Sequence, residues 1–148
     1  MQYLVAVDGS EPSTEALEHA IGVAKRLDAR LLPVYSVEPR ILVEEGETAP
    51  SFTEANDRLY TEDISKAEER GERVLEEAES RIREAGVESE SSLLYGDPVD
   101  AIAEFAETEG VEGIFVGHRG LSERVEGLVG SVAEGLVEHA TVPVTVVR

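Results

Sequence analysis

Short apolar runs alternate along the chain with longer segments whose apolar residues recur at helical spacing, and this alternation restricts the fold more than any other feature. The runs fall at residues 2–8, 31–37, 87–95, 113–116 and 142–147. Runs that are apolar at nearly every position are typical of parallel strands buried on both faces. The pattern predicts an α/β fold with a single open, mainly parallel five-stranded sheet and helices on both faces. From this fold class, and not from the apolar pattern itself, we infer the strand order 3-2-1-4-5.

The segments between the runs carry the helical stripes. We expect the first helix to begin at Ser10 or Ser13, because a serine hydroxyl close to Pro12 is a typical helix start. Three further helices are predicted at residues 59–85, 98–109 and 131–138. Asp97 is placed to cap the third helix, and Gly110 is placed to end it.

The second and third runs carry features that affect their place in the sheet. Proline cannot donate to a strand ladder, so if the second strand is central we expect its first paired residue after Pro33. The acidic segment 38–57 that follows has no clear period and is predicted to be a loop. The run at 87–95 is apolar only at its end, which is typical of an edge strand.

The length and composition limit the class of protein. The chain has 148 residues, so we expect one domain over residues 1–148. It contains no cysteine, which excludes disulfide bonds and thiolate metal sites. The sequence shows neither the pattern of a signal peptide nor an apolar run that approaches the length of a membrane span, so we expect a cytoplasmic protein.

The net charge is −19, from 32 acidic and 13 basic residues. Such a surface repels the phosphates of nucleic acids and anionic lipids, so we expect neither as a partner. The acidic residues are spread over the predicted helices and loops. We interpret them as a solvated, halophilic surface adapted to a salt-rich cytosol, where a Debye length of about 3 Å near 1 M salt screens self-repulsion.

A glycine loop follows the fourth run. Gly117 and Gly120 lie at the end of this strand, and Gly130 and Ser131 open the next helix. Glycines permit torsions and close approaches that a Cβ would prevent, and a helix N-terminus presents unpaired N–H groups. The arrangement is a natural seat for phosphate, to which Arg119 adds a positive charge. The alternative is a set of loop glycines with a serine cap and no ligand.

Asp8 ends the first run. In open α/β sheets, ligands bind outside the carboxyl ends of the strands, where the strand order reverses. With the order 3-2-1-4-5 this point lies between strands 1 and 4, which places Asp8 opposite Gly117 across a crevice. The residues alone leave three roles open for Asp8: holding a ribose hydroxyl, binding a metal or starting a turn.

Other functional motifs are absent from the sequence. No Gly-x-Gly-x-x-Gly follows the first strand, no P-loop lysine accompanies Gly127–Ser131, and there is no Gly-x-Ser-x-Gly. His19, His118 and His139 have no partners at metal-ligand spacing. We therefore predict no catalytic residue and no metal site built by the protein alone.

Four features together resemble the universal stress protein family across nearly the whole chain. They are the strand end Val7–Ser10, the turn Gly96–Pro98, the spacing Gly-x2-Gly-x9-Gly-Ser from Gly117 to Ser131, and the terminal run Val142–Val147. The glycine spacing resembles the ATP-binding signature of that family. The resemblance implies a Rossmann-like fold of the adenine nucleotide alpha hydrolase-like type, a homodimer formed through the last strand, and ATP with Mg2+ in the crevice.

The resemblance also implies which residues contact the nucleotide. They come from the ends of strands 1, 2 and 4 and from the start of the last helix: Ala6, Asp8, Ser36, Val116, Gly117, Arg119, Gly120, Gly130, Ser131 and Val132. Ala6 and Asp8 would contact the adenosine, with Ser36 near the base. The residues from strand 4 and its loop would surround the ribose and phosphates, and the last three would hold the phosphate tail. Arg124 would help Arg119 to offset the charge of the ligand.

We therefore expect an ATP-binding stress protein that acts as a nucleotide-dependent regulator or sensor. ATP would order the loop between Gly120 and Gly130 and the segment 38–57. This ordering would change a surface that a protein partner recognises. Slow Mg-dependent ATP hydrolysis, with Asp8 and Ser131 holding the metal and phosphates, is one alternative. A dimeric interaction module without nucleotide is another.

Overall fold

The computed structural model describes residues 1–39, 41–43, 59–120 and 129–148, and of residues 41–43 and 59–61 it describes only the strands that they form. The elements in chain order are β1 (Gln2–Ala6), α1 (Glu11–Leu27), β2 (Arg30–Val37), β3 (Ile41–Val43), β4 (Leu59–Thr61), α2 (Ile64–Glu84), β5 (Ser92–Tyr95), α3 (Pro98–Glu109), β6 (Ile114–Gly117), α4 (Ser131–His139) and β7 (Val144–Val147). Within these ranges, no helix is both long enough and apolar enough to cross a bilayer.

Five of the strands form one parallel sheet in the order β5-β2-β1-β6-β7. Numbered along the chain within that sheet, the order is 3-2-1-4-5, so the predicted fold class is confirmed. β1 is the central strand and pairs with β2 on one side and with β6 on the other. The strand order reverses between β1 and β6, and a crevice therefore opens at their carboxyl ends.

Helices cover both faces of this sheet, because neighbouring residues of each strand point to opposite faces. On one face, α1 and α2 pack over a core that includes Val5, Leu31 and Ile82. On the other face, α3 and α4 pack over a core that includes Leu4 and Ile114. All five side chains are at most 1% exposed, and burying each one contributes roughly 1.5–3 kcal/mol to folding.

The second strand departs from the prediction at Pro33. β2 is central and pairs with β1 from its first residue onward, with Pro33 opposite Val5, so the expectation that pairing begins after the proline was wrong. Backbone groups of successive strand residues face opposite neighbours. Because the Leu31 N–H bonds toward the chain that leads into β5, the missing N–H of Pro33 faces that side. Pairing is interrupted there, between the isolated Leu31–Ser89 bridge and the ladder that begins at Val34, so the proline removes no bond to β1.

The second helix begins later than predicted. β4 occupies the first residues of the expected helix and pairs antiparallel with β3, so the prediction of a helix from Leu59 was wrong. α2 begins at Ile64 because Asp63 caps it, with the Asp63 Oδ1 accepting a hydrogen bond from the Ser65 N–H at 3.1 Å. The strand β3 also replaces part of the loop predicted at 38–57.

The ends of the other elements follow local chemistry. Ser10, one of the two predicted starts, caps α1, and its Oγ accepts a hydrogen bond from the Ser13 N–H at 3.2 Å. Asp97 occupies the cap position of α3 without a side-chain cap bond, and Gly110 ends that helix at a φ of 64°. β5 lies at the edge of the sheet, as predicted, although its ladder begins only at Ser92.

Two parts of the chain lie outside the described residues, namely residue 40 with 44–58, and 121–128. Most of the segment 38–57 falls in the first part, and Arg124 falls in the second. The prediction that ATP orders these two segments therefore concerns mainly residues that the structure does not describe.

Candidate functional site

A cavity of about 330 Å3 lies at the carboxyl ends of β1, β2 and β6. We call one part of its wall the β2 side, formed by Val34, Tyr35, Ser36, Glu38, Pro39 and Arg70. We call another part the glycine side, formed by Gly117, Arg119, Gly120, Gly130, Ser131 and Val132. β1 lies between β2 and β6 in the sheet, so Ala6 and Asp8 line the wall between the two sides.

Each of the ten residues predicted to contact a ligand lies in the wall of this cavity: Ala6, Asp8, Ser36, Val116, Gly117, Arg119, Gly120, Gly130, Ser131 and Val132. The strand order brings them together, because β6 and β2 flank β1 although they are far apart in the chain. Their roles as ligand contacts stay predictions.

Asp8 is held by the turn that leads into α1. Its Oδ1 accepts a hydrogen bond from the Ser10 N–H at 2.8 Å, and its own N–H donates to the Ser13 Oγ at 3.1 Å. The residue therefore shapes the turn, one of the roles that the sequence left open. It also lines the cavity, so its carboxylate lies where a ligand could reach it.

Three glycines of the loop let the backbone pack closely against neighbouring segments, where a Cβ atom would not fit. A Cβ on Gly117 would lie 2.7 Å from the carbonyl oxygen of Pro12, and one on Gly130 would lie 2.8 Å from the Cα of Arg119. A Cβ on Gly120 would lie 2.6 Å from the Oδ2 of Asp8. None of the three glycines has a φ in the left-handed region. The sequence suggested both torsional freedom and close approach, and the structure uses the second.

The first turn of α4 forms part of the glycine side. Ser131, Val132 and Ala133 all line the cavity, and Gly130 occupies the cap position without a side-chain cap bond. The Gly130 N–H donates to the His118 carbonyl, which ties the start of the helix to the end of β6. A helix start of this kind places the positive end of the helix dipole beside the cavity, where it attracts anions.

The histidines lie away from the cavity wall. The Nδ1 of His118 lies 3.3 Å from the Val147 carbonyl oxygen, so the ring faces the last strand. The ring of His19 packs against Phe115 with centroids 5.6 Å apart. His139 is exposed at the end of α4, 3.9 Å from a Glu138 carboxylate oxygen.

Ser36 carries an unusual hydroxyl. Its Oγ is buried in the wall of the cavity and has no hydrogen-bond partner among the described residues. A buried hydroxyl without a partner destabilises a folded protein by about 1–3 kcal/mol. A polar ligand group that reached this atom from the cavity would satisfy it.

Sequence reasoning missed Arg70, which reaches the cavity from α2. Its guanidinium donates to both carboxylate oxygens of Glu62, at 2.9 and 3.0 Å, and to the Glu38 carbonyl oxygen at 3.3 Å. The hydrogen bond to Glu62 raises the pKa of Arg70, partial burial opposes this shift, and the nearby Tyr35 hydroxyl raises the pKa further. The residue is therefore a fixed cation. From the helical pattern alone, Arg70 could not be distinguished from the other charged residues on the solvated face of α2.

Comparison with known proteins agrees with this architecture. Residues 1–148 match the model of the universal stress protein family. The universal stress protein YxiE of Bacillus subtilis is 31% identical over 145 residues, which cover 98% of this chain and 97% of the relative. A universal stress protein of Methanocaldococcus jannaschii is 33% identical over 145 residues, with 98% and 80% covered.

Solved structures show the same fold. The universal stress protein UspA of Lactobacillus plantarum superposes with a TM-score of 0.78 at 20% identity, over 100% of this chain and 97% of the other. A universal stress protein of Archaeoglobus fulgidus in complex with dAMP has a TM-score of 0.70 at 25% identity, with 100% and 98% covered. A universal stress protein in complex with cAMP has a TM-score of 0.67 at 26% identity, with 100% and 97% covered. Because the family model spans residues 1–148 and two relatives exceed 30% identity over 98% of the chain, this protein belongs to the universal stress protein family.

Proposed function

We propose that this protein binds an adenine nucleotide, ATP with Mg2+, in the cavity and acts as a nucleotide-dependent regulator or sensor of the stress response. The observation that carries the proposal is that one cavity joins two different environments. Its β2 side contains the buried, unpartnered hydroxyl of Ser36, and its glycine side contains the start of α4. A purine base is suited to the first and a chain of phosphates to the second.

The β2 side would receive the base. Val34 on β2 and Ile102 on α3 supply apolar contacts around it, and both are buried in the core between the sheet, α3 and α4. Ser36 supplies a hydroxyl that can both donate and accept a hydrogen bond. A mostly apolar wall with a few placed polar groups is typical of sites for small organic ligands.

The glycine side would receive the phosphates. Gly120 and Gly130 both line the cavity, and neither carries a side chain that would separate a phosphate from the backbone. The start of α4 adds the positive end of its dipole, and Arg119 adds a full positive charge. β2 and β6 lie about 10 Å apart, two strand spacings, which is a span that a nucleotide bridges between its base and its 5′ phosphate.

Asp8 and Ser131 would lie nearest to the metal and the ribose. Mg2+ in nucleotide sites is usually held by one or two protein carboxylates together with phosphate oxygens and waters. Within the residues that the structure describes, no group of three or more His, Asp or Glu side chains could hold a metal by itself. Mg2+ would therefore arrive with the phosphates, whose charge it partly neutralises.

Two relatives support the choice of an adenine ligand. The structures with dAMP and cAMP are of universal stress proteins at 25% and 26% identity to this chain. Both ligands share the adenine base and differ in their sugar and phosphate parts. The base is therefore the better supported part of the proposal, and the triphosphate is the part that binding measurements must establish.

The regulatory part of the proposal involves a homodimer in the cytoplasm. β7 is an edge strand of the sheet, and its exposed side can pair with a second copy. The net charge of −19 disfavours nucleic acids and anionic membranes as partners. Binding of the nucleotide would then change a surface of the dimer that another protein recognises.

Slow Mg-dependent ATP hydrolysis is the second candidate. It is favoured by the Asp8 carboxylate, which lies against Gly120 in the same cavity as Ser131. Turnover in the presence of Mg2+ that Asp8→Ala abolishes, while ATP binding persists, would establish it. Equal turnover in the variant would show that Asp8 takes no part in the hydrolysis.

Calorimetry at high KCl with Mg2+ tests the main proposal. We expect micromolar ATP binding by the wild type and at least tenfold weaker binding by Arg119→Ala, a loss of about 1.4 kcal/mol. Arg26→Ala, at an exposed position near the end of α1, is the matched control and should bind like the wild type. A wild type that binds no adenine nucleotide at any salt concentration would refute the proposal and favour the interaction module without nucleotide.

A further inference from the structure

β5 is the outer strand of the parallel sheet on the side away from β7, and it has a neighbouring strand on one side only among the described residues. The Glu90 N–H donates to the Leu31 carbonyl oxygen and so faces β2. The register with β2 is the same before and after the interruption in pairing. Because backbone groups of successive strand residues face opposite sides, those of Ser91, Leu93 and Tyr95 face the open edge. An added extended segment can pair with such groups.

A groove of about 230 Å3 lies between this open edge and α2, and we call it the β5 groove. Its residues on α2 are Glu72, Leu75, Glu76 and Glu79, and those at the edge include Ser91 and Leu93. Leu75 is buried and Leu93 is half-buried. The β5 groove therefore combines open backbone groups, apolar surface and three carboxylates. None of these residues lines the cavity of the candidate functional site.

The three carboxylates of the β5 groove have no cation beside them. Another glutamate of the same helix pairs with arginine, namely Glu77 with Arg81 at 3.5 Å. Glu72, Glu76 and Glu79 form no such pair within the described part of the chain. They do not form a metal site either, because no group of three or more acidic or histidine side chains in that part could hold an ion. Their charge is therefore available to a basic partner.

The row of glutamates continues toward the end of β5. Glu68 lies one turn before Glu72 on α2, and its Oε2 accepts a hydrogen bond from the Tyr95 hydroxyl at 2.7 Å. That bond raises the pKa of Tyr95, and desolvation and the charges of Glu68 and Glu72 raise it further. Ile64 begins α2 one turn earlier, and the side chains of Ile64 and Tyr95 are about half exposed. A segment along β5 would meet apolar surface at this end and negative charge along the groove.

The spacing of the carboxylates matches that of a strand. Glu72 and Glu76 are one helical turn apart, a rise of about 6 Å, and alternate side chains of a strand recur about every 6.7 Å. Alternate basic residues of an added strand can therefore meet successive carboxylates, while their aliphatic stems cover Leu75 and Leu93. A second copy of this chain is the poorer occupant. Pairing between two β5 edges would place the glutamates of one copy beside those of the other, and like charges at such positions are destabilising.

We propose that the open edge of β5 and the β5 groove together bind an extended, basic segment of another protein. The segment adds a strand to the sheet beside β5 and places lysine or arginine side chains, two residues apart, against Glu72, Glu76 and Glu79. Main-chain hydrogen bonds supply affinity, and the carboxylates select a basic sequence. The surface is separate from the cavity and from the edge of β7, so the inference does not depend on nucleotide binding or on the dimer.

The test uses two peptides with capped ends, titrated by calorimetry into the protein without nucleotide. The KCl concentration is the lowest at which urea unfolding shows the protein to be fully folded. One peptide alternates lysine with valine and can form a strand. The other alternates lysine with proline, which keeps the charge but cannot pair as a regular strand.

Two triple variants remove equal charge, one from the β5 groove and one from exposed positions of α3. They are Glu72→Gln with Glu76→Gln and Glu79→Gln, and Glu104→Gln with Glu107→Gln and Glu109→Gln. Ser91→Pro removes a backbone N–H that faces the open edge and leaves the bonds to β2, and Ser91→Ala is its matched control.

We expect the lysine–valine peptide to bind at least about tenfold more tightly than the lysine–proline peptide. The groove variant should bind it at least about tenfold more weakly than the wild type, and the α3 variant within about twofold. Ser91→Pro should weaken binding at least about fivefold, with Ser91→Ala like the wild type. Amide hydrogen exchange should slow at Leu93 when the peptide is bound and stay unchanged at Leu94, whose N–H already faces β2.

Three results would overturn the inference. Equal weakening in the two triple variants would assign binding to the overall charge of the protein. Equal affinity for the two peptides, or unchanged exchange at Leu93, would exclude an added strand. A wild type that does not bind the lysine–valine peptide would leave the glutamates with the sole effect of keeping the edge unpaired. Each of these results leaves the proposed nucleotide site untouched, because that site is tested with adenine nucleotides.

Discussion

The Oδ2 atom of Asp8 lies 2.6 Å from the point that a Cβ atom on Gly120 would occupy. The end of β1 and the loop after β6 therefore touch without an intervening side chain. Because the Oδ1 of the same carboxylate is bound by the Ser10 N–H, the group has little freedom to turn away. The contact couples the end of β1 to the glycine side of the cavity and leads to the first prediction.

Gly120→Ala should displace the Asp8 carboxylate and weaken the binding of adenine nucleotides by about tenfold, or about 1.4 kcal/mol. The added methyl group meets the far end of a side chain, so the protein should still fold. Calorimetry with AMP and with ATP and Mg2+ measures the effect.

Gly22→Ala is the matched control for Gly120→Ala. Gly22 lies within α1, and a Cβ there would meet no atom within 4 Å. This variant should bind like the wild type and be more stable by up to about 1 kcal/mol, because alanine is the better helix former. Equal affinity in Gly120→Ala and Gly22→Ala would show that the Asp8 contact does not shape the site.

Ser36→Ala should change stability and affinity in opposite directions. Removing a buried hydroxyl that has no partner leaves no polar group unsatisfied, so the free energy of unfolding should stay equal or rise by up to about 1–3 kcal/mol. The affinity for adenosine should fall, because the base loses its hydroxyl partner. Urea denaturation and calorimetry measure the two quantities.

Ser10→Ala serves as the comparison for Ser36→Ala. The Ser10 Oγ caps α1, and its loss should destabilise the protein by about 1 kcal/mol. If Ser36→Ala loses as much stability as Ser10→Ala, the Ser36 hydroxyl has a partner within the folded protein, and its assignment to the ligand fails.

Val146→Pro should dissociate the proposed dimer while leaving the sheet intact. The carbonyls of Pro143 and Val147 accept hydrogen bonds from the Ile114 and His118 N–H groups of the β6 side, so backbone groups of alternate residues in β7 face β6. The Val146 N–H therefore faces the open edge, where proline is tolerated but cannot donate. Sedimentation velocity should show a monomer. The circular dichroism spectrum should be the same as that of the wild type.

Val146→Thr is the matched control, because it keeps the branched shape and the backbone N–H. It should dimerise like the wild type. A Val146→Pro variant that remains a dimer at the same protein concentration would exclude pairing through the edge of β7.

Stability should rise with KCl. At a net charge of −19 the folded protein repels itself, and the Debye length shortens from about 10 Å at 0.1 M to about 3 Å at 1 M salt. The melting temperature should therefore increase steeply below about 1 M KCl and then level off. A melting temperature that does not change over this range would contradict the interpretation of the acidic surface as an adaptation to salt.

Sucrose provides the control for the salt experiment. It stabilises proteins by exclusion from their surface and does not screen charge. The melting temperature should rise gradually with sucrose at low salt, without the steep early increase. Identical curves in sucrose and KCl would assign the effect to solvent exclusion.

The sequence was sufficient for those features that depend on neighbours in the chain. The period of apolar residues predicted the five strands of the parallel sheet and the four helices, apart from the start of α2, and the glycine spacing with Ser131 pointed to the end of β6 and the start of α4. The fold class then placed Asp8 beside this loop, since parallel strands meet their neighbours at one edge of the sheet. The ten predicted residues accordingly lie around one cavity.

Features that depend on contacts between distant segments required the tertiary structure. Pro33 is accommodated in a central strand because its missing N–H faces an interruption in the pairing with β5. β4 replaces the start of the predicted helix because it pairs with β3. The apolar period of a segment does not show whether another strand lies beside it. Arg70 is one of several arginines on α2, and its link to Glu62 and Glu38 singles it out.

The sequence by itself therefore determined the alternation of strands and helices, the glycine loop and the charge of the surface, because each follows from local composition and spacing. The tertiary structure decided which atoms approach one another: Asp8 and Gly120, Gly71 and Tyr35, Arg70 and Glu62. The reason is physical. Periodicity reports which face of an element is buried, whereas distances between elements depend on the packing of the whole sheet and its helices.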